Sequence, residues 1–350
     1  MKIVGCDLHT RYQQIAMLDQ ETGELIERRL EHENGEARVF YATLAGSVRV
    51  GIEATGHTRW FERMLGELGH ELWIGDAAQI RAAMVRKQKT DARDAAHVLD
   101  LLLHGRFPRI WRPTMAERDL RQLVWHRQKL VWMRVSVSNQ LHALAMGEGV
   151  CRKKKLFTKK GRTELEGLAL DPWASRRRHE LLQMLDQFDT TPDELDNAVA
   201  EQAEQNPAAV LLMTHPGVGP VTSLAFVLTL GPVGRFERSK QVVSYLGLNP
   251  REHSSGGRQR LGSISKQGNP MMRSLLVEAG HTAARLDTEL KQDYQRLKLR
   301  RGNGVAKVAI ARKLAIRMYW MLRSQASYTQ LVRMQGSPWA TLVKGKSSLG

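Results

Sequence analysis

Lys2-Ile-Val-Gly-Cys-Asp-Leu8 opens the chain as a β-strand, short and mostly apolar, with one acid, Asp7, next to its end. Strand-like runs follow at 13–19, 25–30, 48–53 and 71–75. They are rich in Ile, Val and Leu and are parted by turn residues such as Glu21-Thr-Gly23. The stretches 35–45, 58–69 and 91–104 read as helices. The first hundred residues are therefore α/β, with three strands in a row and then helix, strand, helix, strand, helix.

Three more acids fall at telling places in that order. Glu53 ends the run Val48-Arg-Val-Gly-Ile-Glu53, ahead of Ala54-Thr-Gly56. Asp91 and Asp94 lie in Lys89-Thr-Asp-Ala-Arg-Asp-Ala-Ala-His97, which reads as the first turn of a helix. Residues three apart on a helix share a face, so Asp91 and Asp94 can aim at one spot. The element order is that of the ribonuclease H fold, which carries acids on its central strand, its next long strand and its last helix. Carboxylates converging from two strand ends and a helix turn suit Mg²⁺, and two such ions ~4 Å apart can clamp the attacking and leaving oxygens of phosphoryl transfer. The expectation is an enzyme that cuts or rejoins nucleic acid.

The composition agrees. At 350 residues and 42% hydrophobic content, the chain can form two domains with real cores. It has no 18-residue apolar run, so a membrane span is not expected. The opening strand leaves no room for a signal peptide. Cys6 and Cys151 cannot build a disulfide framework or a four-cysteine zinc site, which points to a reducing cytosol. The formal charge of +17 attracts polyanions. It is unevenly placed: residues 151–162 hold seven basic residues and no acid, and residues 251–323 hold 16 basic against 5 acidic. The four acids lie outside both stretches.

Phe107-Pro-Arg-Ile-Trp-Arg-Pro113 ends the first domain. From Met115 to about Met146, Leu120, Leu123, Val124, Leu130, Val131 and Val135 recur at helical spacing. The basic run 151–162, with Arg152, Lys153, Lys154 and Lys155, reads as a loop or a segment that orders on binding. A second helical stretch covers about 177–205. Two long helices around a basic loop suggest a coiled-coil connector, or equally two ordinary helices of a globular domain. Next, Leu211 to Ser223 contains Pro216-Gly-Val-Gly219 and looks like a helix–hairpin–helix, in which Gly217 and Gly219 would let backbone amides approach a phosphate. The other reading is a plain tight turn between core helices. The expected domains are 1–113, metal-binding; 114–206, helical connector with basic loop; 207–326, mostly helical; and 327–350, a flexible tail.

A second chemical centre is suggested by Tyr245-Leu-Gly-Leu-Asn-Pro-Arg-Glu-His-Ser-Ser-Gly-Gly-Arg-Gln-Arg-Leu-Gly262, followed by Ser263-Ile-Ser-Lys-Gln-Gly-Asn269. A serine can attack a phosphodiester and hold it covalently, given a base and cations for the developing charge. Arg251, Arg258, Arg260 and Lys266 are such cations.

Together these motifs resemble the DEDD-type insertion-sequence transposases, described as bridge-RNA-guided serine recombinases. The resemblance covers nearly the whole chain through Gly5-Cys-Asp7, Gly51-Ile-Glu-Ala-Thr-Gly56, Lys89-Thr-Asp-Ala-Arg-Asp94, Pro216-Gly-Val-Gly219, Tyr245-Leu-Gly-Leu-Asn-Pro250, Ser254-Ser-Gly256 and Ile264-Ser-Lys-Gln-Gly-Asn269. It implies a RuvC-like N-terminal domain, a coiled-coil connector and a C-terminal transposase domain. Asp7, Glu53, Asp91 and Asp94 would be the Mg²⁺ tetrad and Ser255 the nucleophile, with Ser254 as the alternative. It also implies a structured noncoding guide RNA, donor and target DNA as partners, a tetramer, and a cytoplasmic site of action at the prokaryotic nucleoid.

Two rival functions stand beside this one. The first is a Holliday-junction-resolvase-like endonuclease, using the same Mg²⁺ set with water as nucleophile. The second is a nucleic-acid-binding module with an inactive ribonuclease H fold, disfavoured because a dead site has no need of four converging like charges. His9, His57 and His97 lie near the acids; one of them could be a ligand or proton shuttle, but each reads first as local packing or a DNA contact, and Asp100 as solvated. Cys6 should be buried on the strand face opposite Asp7. Trp60, Trp73, Trp111, Trp125 and Trp132 could stack on bases, but the helical spacing of the last two suggests core or interface.

Overall fold

The structure, a computed structural model, describes residues 1–84, 90–152, 155–254 and 260–333, without the side chains of 189–192. The chain forms two compact units that part between Arg112 and Pro113.

The first unit is a five-stranded sheet with helices on both faces. Its strands are β1 (Lys2–Leu8), β2 (Tyr12–Asp19), β3 (Leu25–Glu31), β4 (Val48–Glu53) and β5 (Glu71–Gly75). They lie in the order β3-β2-β1-β4-β5, with β1–β3 antiparallel and β4 and β5 parallel to β1. The edge strand β3 exposes Glu27, Arg28 and Arg29, charges that discourage pairing with another edge. The helices are α1 (Glu36–Thr43), α2 (Arg59–Glu67), α3 (Ala77–Ala82) and α4 (Asp91–Leu103). This mixed α/β unit fits the ribonuclease H-like order expected from the sequence. The short helix α3 was not expected; Asp76 caps it by accepting from the Gln79 amide.

Strand alternation sorts the sheet into two faces. Val4, Cys6 and Leu8 pack with Val50, Ile52, Tyr41 and Phe61 in one core. Ile3 and Ala16 pack with Val98, Leu99 and Leu102 of α4 in the other. Cys6 is fully buried on the first face, and burial pushes its thiol pKa up.

The second unit is mostly helical. It comprises α5 (Met115–Gly147), α6 (Lys159–Glu166), α7 (Pro172–Glu204), α8 (Pro207–Met213), α9 (Pro220–Leu230), α10 (Ser239–Tyr245), a hairpin of β6 (Pro250–Glu252) and β7 (Leu261–Ile264), then α11 (Pro270–Leu286), α12 (Thr288–Arg301), α13 (Asn303–Ser324) and α14 (Tyr328–Arg333). A capping box between Thr114 and Glu117 starts α5.

Helices α5 and α7 pack together through Val137, Leu141 and Ala145 against Leu181, Leu182 and Leu185, with Leu165 of α6 in the same core. The reading of 151–162 as a loop is corrected here. Leu156 is buried at 1% exposure in that core, and α6 starts at Lys159 under a Thr158 cap. Residues 327–333, expected to belong to a flexible tail, instead include helix α14. Leu331 of α14 is buried in the core of the second unit, and the Tyr328 hydroxyl donates to Asp287. Residues 334–350 lie outside the described residues.

No helix among the described residues is long and apolar enough to cross a membrane.

Candidate metal centre and serine loop

Two glycines set the distance between α4 and the sheet. Gly5 of β1 pairs in register with Gly51 of β4. A Cβ on Gly5 would stand 2.2 Å from the Ala95 carbonyl oxygen, and one on Gly51 would stand 2.7 Å from Leu102 Cδ1. The helix therefore lies directly on the strand backbones, and its first turn comes to the end of β1. Thr90 caps that turn by accepting from the Arg93 amide. The helix start favours the negative charge of Asp91 and Asp94.

Alternation puts Asp7 on the face that carries α4, and His9 follows two residues later. His9 Nε2 lies 3.2 Å from Asp7 Oδ2 and 3.6 Å from Asp91 Oδ2. The Tyr12 hydroxyl donates to Asp91 Oδ2 at 2.9 Å. Asp7, His9 and Asp91 each offer a ligand atom, all within 4.8 Å of one another. Burial raises the Asp7 pKa; His9 pulls it back, while the charges of Asp94 and Asp91 push it further up. The net result is a carboxyl above its ordinary range, held there in part by like charge that a cation would neutralise. Two carboxylates and an imidazole at this spacing could hold a divalent metal ion.

The other two expected ligands stand differently. Asp94 is close enough to act on Asp7 electrostatically but lies outside the ligand-distance group. Glu53 ends β4, one residue beyond the Cys6–Ile52 pair and on the α4 face, and its carboxylate is bound by Arg81 at 3.1 Å. His9 joins the cluster, which fits the ligand or proton-shuttle alternative for these histidines rather than packing or a DNA contact. The signal was present in the sequence, since an i, i+2 spacing at a strand end keeps both side chains on one face. His97 is a packing residue, bonded to the Ile80 carbonyl at 3.0 Å. Asp100 is engaged by Arg106 at 3.0 Å.

The serine stretch joins β6 to β7. Ser255 and Arg258 lie outside the described residues, as do Lys153 and Lys154. Ser254 Oγ donates to Glu252 Oε1 at 2.6 Å and accepts from the Arg260 amide at 3.1 Å. Glu252, not singled out in the sequence, is thus a carboxylate in contact with a serine hydroxyl. Arg251 reaches the Ser265 carbonyl, and Lys266 is exposed with a left-handed backbone, φ 58°.

Among the other expected nucleic-acid contacts, Arg152 forks onto Glu164 at 2.7 and 2.9 Å, and Lys155 is exposed. Gly217, at φ +87°, serves close packing: a Cβ there would stand 2.5 Å from the Ala283 amide of α11. Gly219 is open, with nothing within 4 Å of its Cβ position.

Comparison with known proteins gives this geometry its setting. Residues 4–147 match the IS110-type DEDD model described as "Transposase", and residues 209–295 match the model of the transposase IS116/IS110/IS902 family. The transposase for insertion sequence element IS1111A of Coxiella burnetii is 27% identical, over 94% of this chain and 91% of its own length. A probable family 20 transposase of Pseudomonas aeruginosa is 26% identical over 92% and 96%. The transposase for insertion sequence element IS1328 of Yersinia enterocolitica is 24% identical over 93% and 97%. With an IS110-type DEDD domain followed by an IS116/IS110/IS902 transposase domain, and relatives aligned along nearly its whole length, this protein is a DNA transposase.

Proposed function

We propose that this transposase moves an insertion element by an RNA-guided, Mg²⁺-dependent reaction through a phosphoserine intermediate. The observation that carries the metal half of the reading is the convergence of Asp7 and Asp91, with His9, where α4 rests on a glycine floor. Asp7 and Asp91 would hold the ion, with Asp94 beside them and Glu53 recruited by exchanging Arg81 for metal. A bound divalent ion supplies charge neutralisation at the scissile phosphate. His9 can hold or pass a proton at Nε2, next to both carboxylates.

In the serine half, Ser255 is the nucleophile and Ser254 the alternative. The serine Oγ bonds to phosphorus while the bond from phosphorus to a sugar oxygen breaks. The serine proton goes to a base, and the sugar oxygen leaves as a hydroxyl by taking up a proton from that base or from water. Glu252 is placed to be that base for Ser254. Arg251, Arg258, Arg260 and Lys266 would neutralise phosphate charge.

Residues 1–113 act in this reading as the metal-binding domain, 114–206 as a coiled-coil connector, and 207–326 as the serine domain with a helix–hairpin–helix turn. The enzyme works as a tetramer, which lets acids and serine meet between protomers. The guide RNA pairs with donor and target DNA, and the protein reads nucleic-acid shape and backbone, as its charge of +17 suits.

The competing reading, hydrolysis by an activated water in the manner of a junction resolvase, draws support from His9, an acid–base group already within the acidic cluster. The test is to incubate protein, the RNA encoded beside its element, end-labelled donor and target DNA and Mg²⁺, then run a denaturing gel. A protein–DNA adduct that disappears with Ser255→Ala, or only with Ser254→Ala, identifies the nucleophile. Cut DNA without an adduct in the wild-type protein refutes the serine mechanism and favours hydrolysis.

A further inference from the structure

The second unit contains a cavity of about 560 Å³ between α5, α10 and the start of α11. One wall is a single stripe of α5: Arg121, Trp125, Lys129 and Trp132, spaced four, four and three apart and therefore on one helix face. Cation and aromatic alternate along it. Opposite stands Tyr245, the last residue of α10. The three rings are well exposed, at 40% for Trp125, 41% for Trp132 and 40% for Tyr245. Two half-exposed indoles on one stripe are costly to leave in water and mark a surface built to be covered.

The surroundings hold these groups in place. Arg121 donates to the Leu228 carbonyl of α9, which fixes its guanidinium 6.0 Å from the Trp125 ring. Arg235 stacks on Tyr245 at 4.6 Å, and the Tyr245 hydroxyl reaches the Thr229 carbonyl at 3.4 Å. Lys129, between the two indoles, is exposed. No carboxylate lines the cavity among the described residues. A ligand with flat apolar faces and regularly spaced negative charge matches this wall. Unpaired nucleotides have that form: every base has a π-face to stack on an indole, and each phosphate can meet a cation between them.

We propose that the Arg121–Trp125–Lys129–Trp132 stripe, with Tyr245, binds a single-stranded segment of nucleic acid, stacking its bases on the two indoles with a phosphate at Lys129. A duplex buries its base faces and does not fit. The cavity is independent of the catalytic reading; nucleic acid as the ligand class rests on the transposase reading.

The test is fluorescence anisotropy of the full chain with labelled oligothymidylate DNA, oligouridylate RNA and a duplex of equal length. The variants are Trp125→Leu/Trp132→Leu and Lys129→Gln. The double variant should lose on the order of tenfold or more in single-strand affinity. Its duplex affinity and melting temperature should stay unchanged. Lys129→Gln should weaken single-strand binding less and reduce its salt dependence. Whichever of the DNA and RNA arms loses more names the source of the strand.

Unchanged single-strand affinity in the folded double variant overturns the proposal. A changed oligomer mass with that affinity intact also overturns it, and makes the stripe an interface between copies. If the double variant unfolds, unchanged affinity in Lys129→Gln overturns it instead. Duplex binding that persists in either case leaves the transposase reading standing, whereas a wild-type protein that binds neither form defeats both.

Discussion

Gly5 of β1 meets Ala95 of α4 so closely that a Cβ on the glycine would lie 2.2 Å from the alanine's carbonyl oxygen. The neighbouring atoms are backbone and cannot swing away; Leu99 N would stand at 2.4 Å. This contact fixes the height of α4 over the sheet and so the meeting of Asp91 with Asp7. Gly5→Ala should therefore lift the helix, destabilise the first unit by about 3 kcal/mol or more, and separate the two carboxylates. Thermal unfolding and Mn²⁺ binding should worsen together. A variant that melts normally would show that α4 can rest elsewhere.

Arg81 restrains Glu53 through a pair in which the side chains are 71% and 41% exposed. Exposed pairs contribute little, so Arg81→Ala should change stability by less than about 1 kcal/mol. Removing the competing cation should strengthen divalent-ion binding if Glu53 is a ligand. Calorimetric titration of the variant with Mn²⁺ checks this, and weaker binding would assign the Glu53–Arg81 pair a purely structural role.

Tyr12 orients Asp91 by donating to its Oδ2. Outer partners of ligating carboxylates are worth about tenfold or more in metal affinity. Tyr12→Phe should lose about that much affinity while the protein stays folded, as read by Mn²⁺ titration beside circular dichroism. Unaltered affinity would show that Asp91 needs no such partner.

Stability should fall with acid in two stages, both set in the second unit around Arg317. Burial pushes His215 down to about 4, against the hydrogen bond to the Pro216 carbonyl, with Arg317 adding to the depression and Asp287 opposing it. The unfolded chain takes up this proton near pH 6.5 and the folded one only near 4. Stability therefore drops as pH falls through that window, by on the order of 3 kcal/mol. Burial pulls Asp287 upward, but the Tyr328 hydroxyl, the Leu290 amide and Arg317 hold it below its ordinary value. Its contribution is present above the unfolded carboxyl value and is lost as pH falls below that. In urea titrations from pH 7 to 4, His215→Asn should flatten the upper stage, and an unchanged slope would remove His215 as its source.

The strands of the first unit were legible because alternating burial on a sheet leaves a plain period-2 pattern. The acids were legible because they stand at strand and helix ends. His9 was legible only as one of three histidines near the acids, although the same alternation singles it out beside Asp7. The Glu53–Arg81 pair depends on α3, which is too short to show a helical period. On α5, the expected apolar face included Val135, yet Val135 is 50% exposed and Val137 only 6%. The buried side runs through Val124, Gln128, Val137 and Leu141, which leaves Trp125 and Trp132 outside the core, one of the two places, core or interface, that their spacing suggested. In the basic run, two apolar residues, Leu156 and Phe157, lay among lysines. Leu156 became core because α5 and α7 close around it, a tertiary fact with no local signature.

The most direct measurement is the rate of metal-dependent strand cleavage of DNA carrying the element's end, with the proposed guide RNA present and Mg²⁺ supplied, by wild-type protein and by Asp7→Asn. The substitution keeps the side chain's shape and removes one of the like charges around it, so folding should be intact. If Asp7 and Asp91 hold the ion, cleavage should fall on the order of a thousandfold while DNA binding persists. Cleavage by Asp7→Asn at the wild-type rate would contradict the metal centre at the β1–α4 junction.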